Sequence, residues 1–492
     1  MIAVLALACA ENDPPSPRAL PGDIDGDGVP DSADTAYDTG PWDTADTAGD
    51  CVPTGVEDGN CDGVDDDCDG LVDGGHRVPE DYATIAEALR RDDTVLVCLA
   101  AGTHEGPVSI GGPAVIQGAG EGLSIVEGGG PVVLMFGGGE LRDLTVTGGA
   151  AEIGAGVRVD GGDNRLSRVR ISGNQCVEGG SFCLGAGLAV MGGSLAVESV
   201  TIDGNTGAAA STGSVLGLGA YVGGGTVTGT GLAVMENTLA VDGEVDEIDV
   251  FGGALAVTGL GRVVLSDSSF SSTTVTGAAS AWGAGVYVEL SNLDFTRAWI
   301  SGNVAECAGG EGGGLFASSA AVTLSNVAVV QNELACTGTA SGGGLGLTGA
   351  SVVELQQSVI AANVLSGHVA RGGGVYLDEG DTLSLVNSVL YANELLGTVS
   401  EGSAAAGAGS WTVSYTDLYA NLPFDSVISG LAEPDDTSLS VDPLFAGVPP
   451  AEWDLRLATG SPLIDAGAPE CVDVDGTRCD LGVFGGPNGS WP

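Results

Sequence analysis

One phrase returns again and again between Arg165 and Asn393: a Leu, Val or Phe, two or three polar-tolerant residues, a small or β-branched pair, then Asn. It reads Leu166-Ser-Arg-Val-Arg-Ile-Ser-Gly-Asn174 and comes back at Val197 to Asn205, Phe295 to Asn303, Leu324 to Asn332, Leu355 to Asn363 and Leu385 to Asn393. Adjacent copies place their Asn residues 31, 29, 31 and 30 positions apart. Self-similarity at such a period marks a solenoid, in which each repeat is one supersecondary unit that its neighbours bury.

The positions three, five and eight before each Asn are apolar, as in Ile171, Val169 and Leu166, or Val329, Val327 and Leu324. The near alternation is the period of a strand with one face inward. Half a repeat later a glycine cluster opens a second short strand, as in Gly283-Ala-Gly-Val-Tyr-Val288, Gly312-Gly-Gly-Leu-Phe316 and Gly372-Gly-Gly-Val-Tyr376. A third apolar run, such as Ala321-Val-Thr-Leu324, leads into the next Asn. Helical repeats would need 3.6-residue stripes and far fewer glycines, each of which weakens a helix by about 1 kcal/mol. The pattern predicts coils of two or three short strands. Asn tolerates the left-handed turn that ends a strand, and stacked Asn side chains can hydrogen-bond from coil to coil.

On these residues the chain resembles the pectin-lyase-like superfamily of right-handed parallel β-helices. The segment Val78-Pro-Glu-Asp-Tyr-Ala-Thr-Ile-Ala-Glu-Ala-Leu89, followed by Asp93-Thr-Val-Leu-Val97, Ala101-Gly-Thr-His-Glu105 and Val115-Ile-Gln-Gly-Ala-Gly120, is similar to that family's capping helix and first coils. Tyr82, Ile85, Ala86 and Leu89 then share the helical face that closes the stack. The expected fold is all-β, a right-handed parallel β-helix over 77–440. An export signal and the start of a linker occupy 1–19, an acidic linker 20–50, a metal-binding motif 51–76 and a C-terminal cap 441–492. Coils of about thirty residues and ~4.8 Å rise give about a dozen turns and a rod of ~55–60 Å.

The charge narrows the partners. With 66 acidic residues against 14 basic ones, all of them Arg, the formal net charge is −52. Such a surface repels nucleic-acid phosphates and anionic membranes, and it disfavours a polyanionic glycan unless cations bridge the like charges. Met1-Ile-Ala-Val-Leu-Ala-Leu-Ala-Cys9, before a polar Glu11-Asn-Asp-Pro stretch, resembles the end of a bacterial lipoprotein signal. That resemblance implies lipidation of Cys9 and export, with attachment to the membrane only through the lipid anchor. An outer-membrane surface or extracellular location follows.

The other ten cysteines are an even set that suits an oxidising compartment. Cys307 and Cys336 each follow a repeat Asn by four residues, so stacking brings them face to face. Cys176 with Cys183 and Cys471 with Cys479 are loop closures. The residues alone leave the pairing among Cys51, Cys61, Cys68 and Cys98 open.

Two acidic loops carry metal-ligand spacing. Asp23, Asp25 and Asp27 precede Gly28, the Val29 carbonyl, Asp31 and Asp34, the arrangement of a calcium loop. It is similar to the calcium repeats of thrombospondin type 3 and dockerin-type modules. Asp65, Asp67, Asp69, Gly70 and Asp73 repeat the spacing 42 residues on. That phrase, Asn60 to Asp73, resembles the MopE-type metal-binding motif of exported bacterial proteins, which implies Cys61 and Cys68 as its cysteine pair. Carboxylates favour calcium with a disulfide staple; free thiolates would favour a soft metal such as copper.

Catalytic cues are sparse. Hydrolases of the resembled superfamily use clustered aspartates with a Gly-His-Gly segment and a basic pair; its lyases use calcium with an Arg or Lys base. Here Lys and Gly-His-Gly are missing, and His76, His104 and His368 stand apart. His368 and Arg371 share a coil, read as an exposed polar turn with no evident acidic partner beside them, near Asp378, Glu379 and Asp381. The C-terminal Val441-Asp-Pro-Leu-Phe445, Trp453-Asp-Leu-Arg-Leu457, Gly460 to Gly467 and Asp480 to Gly486 resemble the choice-of-anchor Q module of bacterial surface β-helix proteins. Its Leu455, Leu457, Leu463, Ile464, Val483 and Phe484 are expected over the last coil's open edge. The sequence therefore points to a non-enzymatic, calcium-binding surface or secreted protein that binds a glycan, a cell-envelope component or a protein. The alternatives are a polysaccharide lyase or glycoside hydrolase with an unconventional site, and a structural spacer.

Overall fold

A computed structural model describes Cys61 and residues 75–90, 96–177, 182–207, 213–240, 248–423, 427–447 and 453–490. Cys9, Cys51, Cys68 and the metal-loop residues Asp23 to Asp34 and Asp65 to Asp73 lie outside them.

The chain winds into a parallel β-helix walled by three sheets, here A, B and C. Each coil runs along sheet A, turns at the repeat Asn into sheet C, bends at the glycine cluster into sheet B, and returns to A. Sheet A carries the long strands, such as Asp163–Ser172, Asn292–Ser301 and Ala321–Val330. Sheet B stacks twelve short strands, from Val108–Ile110 to Ile428–Ser429, in agreement with the dozen turns read from the period. Register holds identical repeat positions side by side: Leu166 on Val197, Ile171 on Ile202, Phe295 on Leu324 and Ile300 on Val329. Leu166, Val169, Ile171, Leu324, Val327 and Val329 are fully buried.

The three-residue gap between the apolar positions eight and five before Asn has a structural cause. A left-handed residue bends sheet A there in coil after coil, at Arg168 (φ 51°), Ser199 (53°), Asp267 (51°), Arg297 (54°), Asn326 (57°), Gln357 (49°) and Asn387 (53°). Outside this corner Arg168 grips Asp143 with two hydrogen bonds of 2.6 and 2.8 Å, and Arg297 grips Asp267 at 2.6 and 2.7 Å.

The Asn ladder runs inside the next turn. After the first rung of each run, Oδ1 accepts from the backbone N–H and the Nδ2 of the preceding ladder Asn, as Asn332 does from Asn303 at 3.2 and 2.9 Å. The rungs are Asn174, Asn205 and Asn237, then Asn303, Asn332, Asn363, Asn393 and Asn421. Between the two runs Thr273 holds the position, and its buried hydroxyl has no hydrogen-bond partner among the described residues. The glycine bend is equally constrained. Gly342 is left-handed (φ 64°), and a Cβ there would strike the Leu345 carbonyl.

At the N-terminal end a helix of one turn, Ile85–Ala88, caps the stack, with the Thr84 hydroxyl accepting from the Glu87 N–H at 3.2 Å. Ile85 and Ala88 are buried, with Tyr82 and Leu89 packed beside them, but Ala86 is exposed. Positions 85, 88 and 89 follow the i, i+3, i+4 rule, which puts Ala86 on the other side. At the far end the last partial coil, with Val427, Ile428 and Leu431, lies against the core. The C-terminal segment therefore does not cover that edge, as its apolar residues had suggested. It folds back along the outside of sheet A, where Leu455, Leu463, Leu481 and Val483 bury Ala328, Val330, Val359, Ala361 and Val389, leaving Ile464 38% exposed. The left-handed corner supplies the grip. Asn326 donates to the Val483 and Gly485 carbonyls at 2.8 Å, Gln357 to the Asp480 carbonyl at 2.9 Å, and Asn387 accepts from the Ala468 N–H at 2.7 Å.

Four disulfides are described. Cys307–Cys336 spans adjacent coils of sheet C with Cα atoms 4.6 Å apart; Cys176–Cys183 and Cys471–Cys479 close short loops. Cys61 is bonded to Cys98, Cα atoms 5.6 Å apart, and not to Cys68. Cys98 lies in the strand Leu96–Leu99 at the start of the stack, so the bond ties Cys61 to the first coils. It also removes Cys61 as a thiolate for a soft metal.

Candidate functional site at the corner of sheets B and C

Side chains that point away from the interior on either side of the glycine bend meet in the corner between sheets C and B. The ladders stack Leu184, Leu216, Phe251, Trp282 and Glu311 at the end of sheet C. On sheet B the second strand residue gives the facing column, Ala189, Tyr221, Ala256, Tyr287 and Phe316. Outward residues on a solenoid are ordinarily wet, yet Tyr221, Tyr287 and Phe316 are only 8%, 4% and 4% exposed. They form an apolar cluster separate from the core. Phe251 stacks on Trp282 at 4.9 Å and meets Tyr287 edge-on at 5.1 Å, and Tyr287 stacks on Phe316 at 5.6 Å. Such ring pairs add about 0.5–1.5 kcal/mol each beyond area burial. The Tyr221 hydroxyl meets the Thr258 hydroxyl at 2.9 Å. Phe251 and Trp282 remain half-exposed, so the outer edge of the row faces solvent.

Two coils further on, the corner changes character. The columns continue as Ser341, Arg371 and Glu401 on sheet C and as Gly346 and Tyr376 on sheet B. Gly346 leaves the floor without a side chain; a Cβ there would press on the Phe316 ring at 3.3 Å. Glu311 lies at the junction of the aromatic and polar halves. Burial, with Asp378 and Asp381 adding like charge, pushes its carboxyl up to about 7. Burial beside Asp378 and Glu311 raises the Tyr376 phenol as well. A carboxyl that keeps part of its protonated form near pH 7 beside an aromatic wall can donate a hydrogen bond or a proton to whatever lies in the corner.

His368 and Arg371 belong to the strand Val364–Arg371 of sheet C rather than to a turn. Parallel pairing with both neighbouring coils makes this segment extended. Arg371 does have an acidic partner, Glu401 of the next coil, at 3.2 Å. Sequence spacing hides that pair because it is 30 residues apart. His368 is exposed, while His104 contacts the Ala100 carbonyl at 2.9 Å and His76 the Ala88 carbonyl at 3.4 Å. The three do not come together. Asp381 accepts from the Ser351 and Asp378 N–H groups at 2.8 and 2.9 Å, which makes it a turn-holding residue. Asp473 and Asp475 likewise accept from backbone N–H groups of the C-terminal loops. Among the described residues no three His, Cys, Asp or Glu side chains are arranged to hold a metal ion. No helix among them is long and apolar enough to cross a membrane.

Sequence reading missed Phe251, Trp282 and Glu311 as a site. A signal existed in the aromatic second residue after the glycine cluster, at Tyr287, Phe316 and Tyr376, where alternation points the ring outward.

No family model and no curated protein matches the chain. Among solved structures it resembles the crystal structure of pectate lyase Pel9A, at 15% identity, over 79% of this chain and 87% of that one, with a TM-score of 0.34. A likeness of that degree carries no argument about chemistry, and the parallel β-helix rests on the strand ladders themselves.

Proposed function

We propose that this is an exported, non-enzymatic β-helix protein of a bacterial surface, which holds an extended ligand, a glycan chain, in the corner between sheets B and C. The carrying observation is the outward cluster of rings in ring-to-ring contact, Trp282, Phe251, Tyr287 and Phe316, whose edge at Phe251 and Trp282 stays open to solvent. Sugar rings present apolar faces and polar edges, which suits an aromatic wall that gives way to Glu311 and Arg371. The disulfides suit an oxidising, exported setting. In this reading Cys9 carries the lipid anchor, the acidic tether lifts the rod from the membrane, and the loops at Asp23 to Asp34 and Asp65 to Asp73 bind calcium. The MopE-type and choice-of-anchor resemblances belong to the same reading.

A second reading, cleavage of a polysaccharide, is favoured by one observation: the carboxyl of Glu311, held near neutrality at the end of the aromatic wall. One experiment separates the two. The full chain is screened against glycans and cell-envelope fractions with and without calcium, while reducing ends and ultraviolet absorbance of new double bonds are followed. Retention without product supports the binding protein. Product formation lost in Glu311→Gln would establish the enzyme, and neither binding nor product would leave a spacer.

A further inference from the structure

The outer face of sheet A turns apolar where the C-terminal segment lies on it, with one exception. The outward column Ala328, Val359 and Val389 ends at Asp417. Asp417 is 0% exposed. Its Oδ1 accepts from the Val441 N–H at 2.8 Å, and its backbone bridges Leu439. Its Oδ2 has no hydrogen-bond partner among the described residues. A carboxylate so enclosed is costly, whereas a neutral carboxyl costs far less.

We propose that Asp417 is a proton-held latch for the C-terminal segment, which stays docked on sheet A while the carboxyl is neutral and loosens when it ionises. The latch holds the first stretch of the returning chain, Leu439 to Gly447, and through it the flank up to Val483. The groups facing it leave the charge uncompensated. Asp442 is exposed, accepts from the Leu444 N–H at 3.0 Å, and acts on Asp417 as a like charge. Tyr391 and Tyr419 are phenols on the neighbouring outward column, stacked at 6.4 Å. Arg478 of the C-terminal segment is turned to the Tyr415 ring at 5.6 Å and to the Gly467 carbonyl. Burial accordingly pushes the Asp417 carboxyl up to about 7, with Asp442 adding to the rise and the Val441 N–H opposing it.

The sign follows from linkage. The docked state holds a proton that the undocked state gives up near pH 4, so docking is fully favoured below that value. It weakens about tenfold per pH unit up to about pH 7 and is level above. Hydrogen exchange of the full chain, corrected for the intrinsic pH dependence, reads this directly at 439–447 and 453–490. Between pH 5 and pH 7.5 the wild type is expected to lose about a hundredfold in protection there, beyond any change in coils 163–301. Asp417→Asn, which keeps the shape of the neutral carboxyl, is expected to hold its protection at both pH values. Asp442→Asn is expected to lower the midpoint and shrink the loss. Equal protection of the wild type at both pH values, or an Asp417→Asn variant that loses protection as the wild type does, overturns the latch.

Discussion

Asn332→Ala is the sharpest perturbation of the ladder. Asn332 is 0% exposed. Its Oδ1 accepts from the Asn303 N–H and Nδ2 at 3.2 and 2.9 Å, and its Nδ2 donates to the Ile300 carbonyl at 2.9 Å and to Asn363 Oδ1 at 3.0 Å. Two of those partners keep a second bond: Asn303 Nδ2 to the Phe270 carbonyl, and Asn363 Oδ1 from the Asn332 N–H. The Asn303 N–H is left without its ladder acceptor in a buried turn. One orphaned group costs about 1–3 kcal/mol and each of the three other lost bonds about 0.5–1.5, so the expected loss is roughly 2.5–7.5 kcal/mol. The chain supplies a converse test at Thr273, the broken rung. Asn there would accept from Asn237 and donate toward Asn303, so Thr273→Asn should stabilise by roughly 1–2 kcal/mol. Urea unfolding measures both, and exchange at 303 and 363 shows whether the effect spreads to neighbouring coils. A loss below about 1 kcal/mol for Asn332→Ala, with no gain for Thr273→Asn, would refute the ladder as a source of stability.

The Glu311 carboxyl, raised to about 7 from its usual range, contributes stability that is complete below about pH 4.5 and lost as pH rises through 7. Glu311→Gln should therefore gain roughly 2–3 kcal/mol on the wild type above pH 7 and little at pH 4.5, as read by unfolding across that range. Calcium should protect residues 20–76 of the full chain from protease while hardly altering unfolding of the β-helix, because mutual repulsion of the loop carboxylates is relieved only by cation. Peptide mapping of oxidised, exported protein should recover Cys61 joined to Cys98 and Cys307 joined to Cys336; free thiols at 307 and 336 would contradict the coil register.

The period and the Asn spacing made the solenoid legible, because stacking forces equivalent residues onto one another and leaves a visible repeat. Even the left-handed corner of sheet A was encoded in the gap between Leu166 and Val169. Asn237 escaped notice because the coil before it is rich in Gly and Thr and the step to Thr273 lengthens the repeat. The C-terminal segment was misplaced for a different reason. Its apolar residues say that it covers something, but the target is marked only by outward Ala328, Val359 and Val389, which in a strand read as ordinary β-branched or small residues. Glu311 was invisible as a special carboxyl among 66 acidic residues. What sets it apart is burial in a corner and two aspartates from another coil, which no local spacing reveals.

The proposed glycan binding requires the corner between sheets B and C to be the binding surface. The decisive measurement is the affinity of the full chain for the glycans it retains, compared with Trp282→Ala and with Leu123→Ala, which changes an exposed apolar residue outside the aromatic row. Loss of a stacking wall worth about 1.4 kcal/mol should weaken binding about tenfold in Trp282→Ala and leave Leu123→Ala unchanged. Unaltered affinity in Trp282→Ala, or retention of no glycan with or without calcium, would contradict it.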